Sequence, residues 1–234
     1  MKIPILMYHS IRSPKKSEKL KSLHVTPFNF HLQMSVLKLL GYKGVSIKEL
    51  KNRLIENKKE RVVGITFDDG YLNNLEHAAP ILNKYSFTAT NYIVYKSIGK
   101  HNEWDEEKGV PSLKLMDKGD INAWLSAGMD IGSHCLDHMP LSQLSREGQL
   151  SQISDSKVAL EKCFNVEISD FCYPYGDIDE NSSKIVEKYY STSVTTQSGN
   201  VTNSNTFQLL PRMAITYRTG IIRFIFKIFL FNRG

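Results

Sequence analysis

Two acids stand side by side at Asp68 and Asp69, where the apolar run from Val62 to Phe67 stops and Gly70 lets the backbone turn. Neighbouring carboxylates repel one another, so both stay ionised only with a cation or a basic partner beside them. An Asp-Asp-Gly turn that caps a helix is the alternative use of the same residues. Further on, Gly132-Ser133-His134-Cys135-Leu136-Asp137-His138 sets two histidines four positions apart. On a helical turn both imidazoles share one face and reach one ion, while Cys135 points elsewhere. With one of the two aspartates they make three protein ligands and leave a fourth position open. That is the arrangement of a catalytic zinc, not a structural one, and its chemistry is the activation of water.

These residues meet only if the elements that carry them converge. Ile3 to Tyr8 reads as a strand ending at His9, and Val62 to Phe67 as a buried strand ending at the acids. Between them, Thr26-Pro27 starts a helix that Gly41 closes, Lys43 to Val45 is a short strand, and Ser46 with Glu49 forms a capping box for a helix to about Asn57. Helices over Leu72–Tyr85, Asp117–Ala127, Ser145–Phe164 and Ile178–Tyr190 then alternate with strands over Phe87–Tyr95, Met129–Ser133, Ile168–Tyr173 and Thr192–Thr196. Thr206 to Leu210 is the last strand. Such alternation implies parallel strands with helical crossovers, either an open doubly wound sheet or a barrel. The barrel gains weight because His9, the Asp68-Asp69 pair, His134 and Pro174-Tyr175-Gly176 follow different strands and would converge at one mouth.

Composition sets the frame. The 234 residues carry 41% hydrophobic and 23% charged side chains with no Pro/Gly/Ser linker, as one soluble globular domain would. The formal charge of +6 lies wholly beyond Glu187, where there is no acid. A solvated basic face is the ordinary reading; phosphate or a membrane surface is the other, and no nucleic acid is expected as partner. Three cysteines without framework spacing, an N-terminal apolar run too short for a signal segment and no membrane-spanning stretch place the chain in the cytoplasm, with peripheral membrane contact as a variant.

Thr66-Phe67-Asp68-Asp69-Gly70, His134 to His138 and Tyr173-Pro174-Tyr175-Gly176 occur in that order. In this combination the chain resembles the polysaccharide deacetylases, the family 4 carbohydrate esterases with NodB homology, over about Ile3 to Arg212. Leu6-Met7-Tyr8-His9-Ser10 further resembles the branch that includes the poly-N-acetylglucosamine deacetylases. The resemblance implies an α/β, single-domain distorted (β/α) barrel of about seven strands spanning residues 1–234. It implies an enzyme that removes acetyl groups from the N-acetylated sugars of a polysaccharide or glycan precursor. Asp69, His134 and His138 would hold a divalent metal, zinc first for this donor set, and Asp68 would be the general base. Tyr175, through its backbone N–H, and Pro174 would frame the oxyanion, a well-placed donor being worth roughly 3 kcal/mol.

Two departures from the family pattern matter. Most members take their general acid from a Leu-x-His motif near the C-terminus, but all seven histidines here lie at or before His138. The Tyr-His branch is thought to supply that imidazole from its N-terminal strand, which makes His9 the candidate acid; a strand-end histidine bonded to a loop is the alternative. Most members also carry an arginine before Pro-Tyr-Gly, where Cys172 and Tyr173 stand here. Arg212 could return that guanidinium from the last strand, with Leu210 lining the pocket for the acetyl methyl. His24, His31, His77 and His101 read as surface or capping residues, Cys163 and Trp124 as core, and Trp104 as a residue open to stacking on a sugar. A catalytically silent glycan-binding protein of the same fold, or a deacylase acting on a non-sugar amide or an O-acetyl ester, would use the same residues.

A hydrophobic, basic helix is expected at about 218–232. Ile221 to Leu230 is apolar except for Arg223 and Lys227, a polar stripe too narrow for a helix whose outer side meets only water. Docking on the barrel, self-association and a basic anchor on a membrane surface are the three uses of such a helix.

Overall fold

The computed structural model describes residues 2–18, 20–58, 60–106, 109–201 and 206–232, the last four of these by backbone only. Arg233, one of the positive residues beyond Glu187, and the side chains of Phe229 and Leu230 lie outside the described residues. In chain order the elements are β1 (Ile3–Tyr8), β2 (Ser10–Ile11), β3 (His24–Val25), α1 (Pro27–Leu39), β4 (Lys43–Val45), α2 (Ile47–Ile55), β5 (Val62–Phe67), α3 (Ala79–Lys84) and β6 (Thr90–Ile93). There follow α4 (Lys118–Ser126), β7 (Asp130–Ser133), α5 (Arg146–Leu150), α6 (Ser156–Phe164), β8 (Asp170–Cys172), α7 (Glu180–Tyr189), β9 (Thr192–Val194), β10 (Asn200–Val201), β11 (Met213–Ala214) and α8 (Ile221–Asn232).

Every residue of β1 and of β5 is buried, which requires a sheet covered on both faces and fits parallel strands with helical crossovers. The strands run in the order β10-β1-β5-β6-β7-β8-β9, parallel throughout except for β10. At β7 a side chain on Gly132 would meet the Tyr92 ring at 2.5 Å, so only glycine lets β6 and β8 close in on both sides. Closure comes from one short segment. Leu210 bridges Val194 of β9 in the parallel sense, and three residues later Met213 pairs with Leu6 of β1. The sheet is thus a distorted (β/α) barrel, and Arg212 lies at its seam. Tyr8, Phe30, Phe67 and Trp124 pack ring against ring in the layer beneath the helices, which confirms Trp124 as core.

Local chemistry explains where the elements depart from the sequence pattern. Thr26 and Ser46 cap α1 and α2 by accepting from the N–H of Asn29 and Glu49, but the Glu49 carboxylate does not complete the capping box. It turns instead to Lys43, Arg53 and Thr88. The helix expected from Leu72 opens as a π-helical turn, Asn74–Ala78, because Pro80 has no N–H to give to the α-helical ladder. The long helix expected over Ser145–Phe164 is divided by a second π-helical segment, Ser151–Asp155. The last strand lies at Met213–Ala214 and not at Thr206–Leu210, since Pro211 interrupts the ladder after a single bridge. The C-terminal helix docks by Phe224 and Ile228, both fully buried against α1 and β1.

Candidate active site

The C-terminal tips of β1, β5 and β7 deliver His9, the two acids and His134 to one end of the barrel. Asp69 Oδ1 lies 3.5 Å from His134 Nε2 and 3.4 Å from His138 Nε2, with all three side chains buried. A hydrogen bond between these atoms would be shorter, ~2.7–3.2 Å. Donors bound tetrahedrally to one ion at ~2.0–2.2 Å stand roughly 3.3–3.6 Å apart, so the spacing fits a shared metal. His134 donates from Nδ1 to the Cys172 carbonyl at 2.7 Å, which fixes the tautomer and leaves Nε2 as an acceptor facing Asp69.

The histidines do not reach this arrangement on a helical turn. Cys135 and His138 adopt φ of 65° and 56°, so the chain reverses between the two rings and brings them face to edge at 4.8 Å. Trp104 stacks on the outer face of His138 at 4.5 Å, and Tyr175 meets it edge-on at the same distance. Trp104 therefore covers a candidate ligand, a contact the sequence did not signal because the loop that carries it has no periodicity. Tyr175 sits in the Pro174–Gly176 turn at φ 59° and donates from its hydroxyl to Asp105 at 3.3 Å.

Asp68 is gripped from the seam. Arg212, fully buried, donates from Nη1 to Oδ1 at 2.7 Å and from Nη2 to Oδ2 at 2.8 Å, and is itself held by Thr66 Oγ1 and the Thr195 carbonyl. The guanidinium also reaches Cys172 Sγ at 3.2 Å. It therefore fills the space between Asp68 and Cys172, two members of a second possible ligand cluster with His134. On its open side Asp68 faces His9, whose Nε2 lies 4.0 Å from Oδ2. Leu210 is buried two residues before Arg212.

Electrostatics follow the geometry. Burial alone pushes the Asp68 carboxyl up, but the charge and hydrogen bonds of Arg212 outweigh it and hold the group below the ordinary carboxylate range. At Asp69 burial again pushes the carboxyl up, but the two imidazoles of His134 and His138 beside it outweigh burial and hold it well below that range. Both acids are ionised at neutral pH. Burial pushes His138 down, towards the neutral form a metal ligand needs.

Of the other histidines, His24 corrects the sequence reading. It is fully buried beside Arg12 and Glu18, and burial, with the Arg12 charge adding to it, holds its pKa down to about 4. The signal that places it is its strand, since β3 pairs with β2 next to His9.

The sequence profile of the polysaccharide deacetylases matches residues 55–194. YxkH of Bacillus subtilis (strain 168), named for the same family, is 35% identical over 218 residues, covering 92% of this chain and 72% of its own. The chain belongs to the polysaccharide deacetylase family. Its membership makes it a hydrolase of the deacetylase type. A poly-β-1,6-N-acetyl-D-glucosamine N-deacetylase of Staphylococcus aureus (strain MRSA252) is 26% identical over 206 residues, covering 78% of this polysaccharide deacetylase and 68% of the relative. Among solved structures, the Streptococcus pyogenes deacetylase PplD in complex with acetate superposes with a TM-score of 0.83 at 28% identity, over 97% of this chain and 98% of that one. Among the described residues no helix is long and apolar enough to cross a membrane.

Proposed function

We propose that the chain is a metal-dependent N-deacetylase that releases acetate from N-acetylated sugars of a polysaccharide or glycan precursor. The observation that carries this reading is the donor triangle of Asp69, His134 and His138, spaced for one ion, beside an ionised Asp68 that takes no part in it. The name of the staphylococcal relative supports the substrate class, and PplD, a deacetylase solved with acetate, supports the acid released. Two imidazoles and one carboxylate suit zinc among the divalent ions. When bound, such an ion lowers the pKa of water towards ~7 and polarises the acetamide carbonyl.

The chain's own groups do the rest. Asp68, oriented by Arg212, accepts the proton of the attacking water. The N–H of Tyr175, presented by the turn that Pro174 opens, donates to the oxygen on which charge develops. His9 protonates the departing amine; an amide nitrogen leaves poorly without that proton, and a positioned acid contributes a factor of ~10² to 10⁴. Leu210 lines the space for the acetyl methyl.

Elemental analysis paired with an acetate-release assay on N-acetylglucosamine oligomers tests the assignment. Asp68→Asn is expected to keep the metal and lose acetate release, and His134→Ala to lose both. A purified chain that takes up no divalent metal and releases no acetate would instead be a silent glycan-binding member of the fold. One that takes up metal but cleaves only aryl or O-acetyl esters would be a deacylase of another class.

A further inference from the structure

The outer face of α8 carries a pattern that deacetylation does not use. Phe224 and Ile228 are buried, whereas Ile222 and Phe226, one turn apart, are 68% and 60% exposed. Exposed Arg223 stands on the adjoining stripe, while half-buried Lys227 at its edge donates to the Ala214 carbonyl at 3.2 Å. At ~100° per residue the outward surface of the helix is therefore an apolar pair, Ile222 and Phe226, flanked by the basic Arg223. Just before the helix, exposed Tyr217 and Arg218 share a cleft with Leu20, Lys21 and Ser22. The lysine-rich loop that also carries exposed Lys15 and Lys16 thus adjoins the start of α8. Glu18 in that loop is already paired with Arg12, and no acid follows Glu187 in the chain.

We propose that this face docks on the surface of an anionic lipid bilayer, with Ile222 and Phe226 entering the headgroup boundary and Arg218, Arg223 and Lys21 meeting lipid phosphates. The barrel is not the occupant, because the opposite face of the helix already covers it. A second copy is disfavoured by charge: a two-fold contact would set the basic stripe against itself, with no acid on the helix to pair it. The 12 residues of α8 rise only ~18 Å, so the helix lies in the surface and does not span the bilayer. The loops holding Lys21 and Arg218 leave the same end of the parallel strands β1 and β11 as His9. Docking would turn the rim of the candidate site towards the headgroups, which suits a glycan held near a membrane.

Flotation of the full chain with vesicles of phosphatidylglycerol mixed into phosphatidylcholine, against pure phosphatidylcholine, is the test. Binding is expected only with phosphatidylglycerol and is expected to fall as salt rises. Paired Arg218→Glu and Arg223→Glu changes should weaken it by roughly 30-fold or more. Ile222→Asp with Phe226→Asp should abolish it, while acetate release from a soluble oligomer and the melting temperature stay as in the parent. Failure of the unaltered chain to bind phosphatidylglycerol vesicles overturns the proposal, and so does binding that persists in the double Asp variant. A dimer broken by Phe226→Asp without vesicle binding overturns it in favour of self-association. Should the Asp variants not fold, binding by the unaltered chain that ignores lipid charge and salt has the same force. The outcome is independent of whether acetate is released.

Discussion

Replacing Arg212 by methionine would remove the guanidinium that bonds both oxygens of Asp68 and leave a buried carboxylate facing His9 at 4.0 Å, beyond hydrogen-bond reach. Breaking a buried pair in this way costs about 3–5 kcal/mol, because the remaining charge keeps its desolvation penalty. The pH dependence carries a sign. In the parent, Arg212 holds Asp68 below its unfolded value, so the pair stabilises the fold above the unfolded carboxylate pKa of ~3.9, and that contribution is lost on acidification. Without Arg212, burial, the largest influence on the group, outweighs the smaller pull of His9 and His134 and raises it, so the variant loses stability as pH climbs through ~3.9. The gap between parent and variant therefore opens with rising pH and is largest in neutral solution. Urea melts across the acid-to-neutral range would measure it. Activity should report the same shift: the acid limb of kcat/KM moves to higher pH and the neutral rate falls by ~10²-fold or more, while metal content is unchanged. Asp68→Asn in the Arg212→Met background should recover most of the stability and none of the activity. A variant that melts within ~0.5 kcal/mol of the parent at neutral pH, or whose acid limb stays in place, would refute this account of Asp68.

Two further outcomes separate roles within the site. His9→Gln should cut acetate release from N-acetylglucosamine oligomers by ~10² to 10⁴ yet barely affect an aryl acetate, whose leaving group needs no proton; equal losses on both would assign His9 to binding or structure instead. Gln152 accepts from the N–H groups of Leu136 and Asp137 at 3.0 and 3.1 Å, inside the turn that sets His138. Gln152→Ala should therefore lower metal affinity by ~10- to 100-fold in a chelator competition, and an unchanged affinity would show that the turn holds itself.

How far the sequence could be read depended on the range of the cause. The buried runs of β1 and β5, the Thr26 and Ser46 caps and the alternation that implies a parallel barrel are local signals, and each element appears where its residues place it. The acids at the end of β5 were legible for the same reason. Arg212 was a harder case, because its contact with Asp68 spans 144 positions and depends on Pro211 ending one ladder before the next begins. The shape of the His134–His138 turn was not legible at all. Spacing of four suggested a helix, and only the fold makes φ positive at Cys135 and His138. His24 was misjudged because a histidine without a ligand partner reads as surface, while pairing of β2 with β3 buries it.

The two π-helical segments turn out to serve the same end. Each widened turn points an amide side chain at a loop that carries a candidate site residue. Asn74, in the first, donates to the His9 carbonyl at 2.7 Å and accepts from the N–H of Ile11, so it holds the chain on either side of Ser10. Gln152, in the second, grips the turn between the two histidines. The second of those loops needs external support, since Cys135 and His138 sit at positive φ without being glycine, as do Asp69 and Tyr175 elsewhere in the site, at a cost of about 1 kcal/mol or more each. Glycine would relieve that cost at any of the four, but at Asp69 and His138 it would delete a candidate metal donor. A strained backbone with its side chain retained, fastened by amides from helices that give up regular geometry to reach it, is what the chemistry of this site requires of the fold.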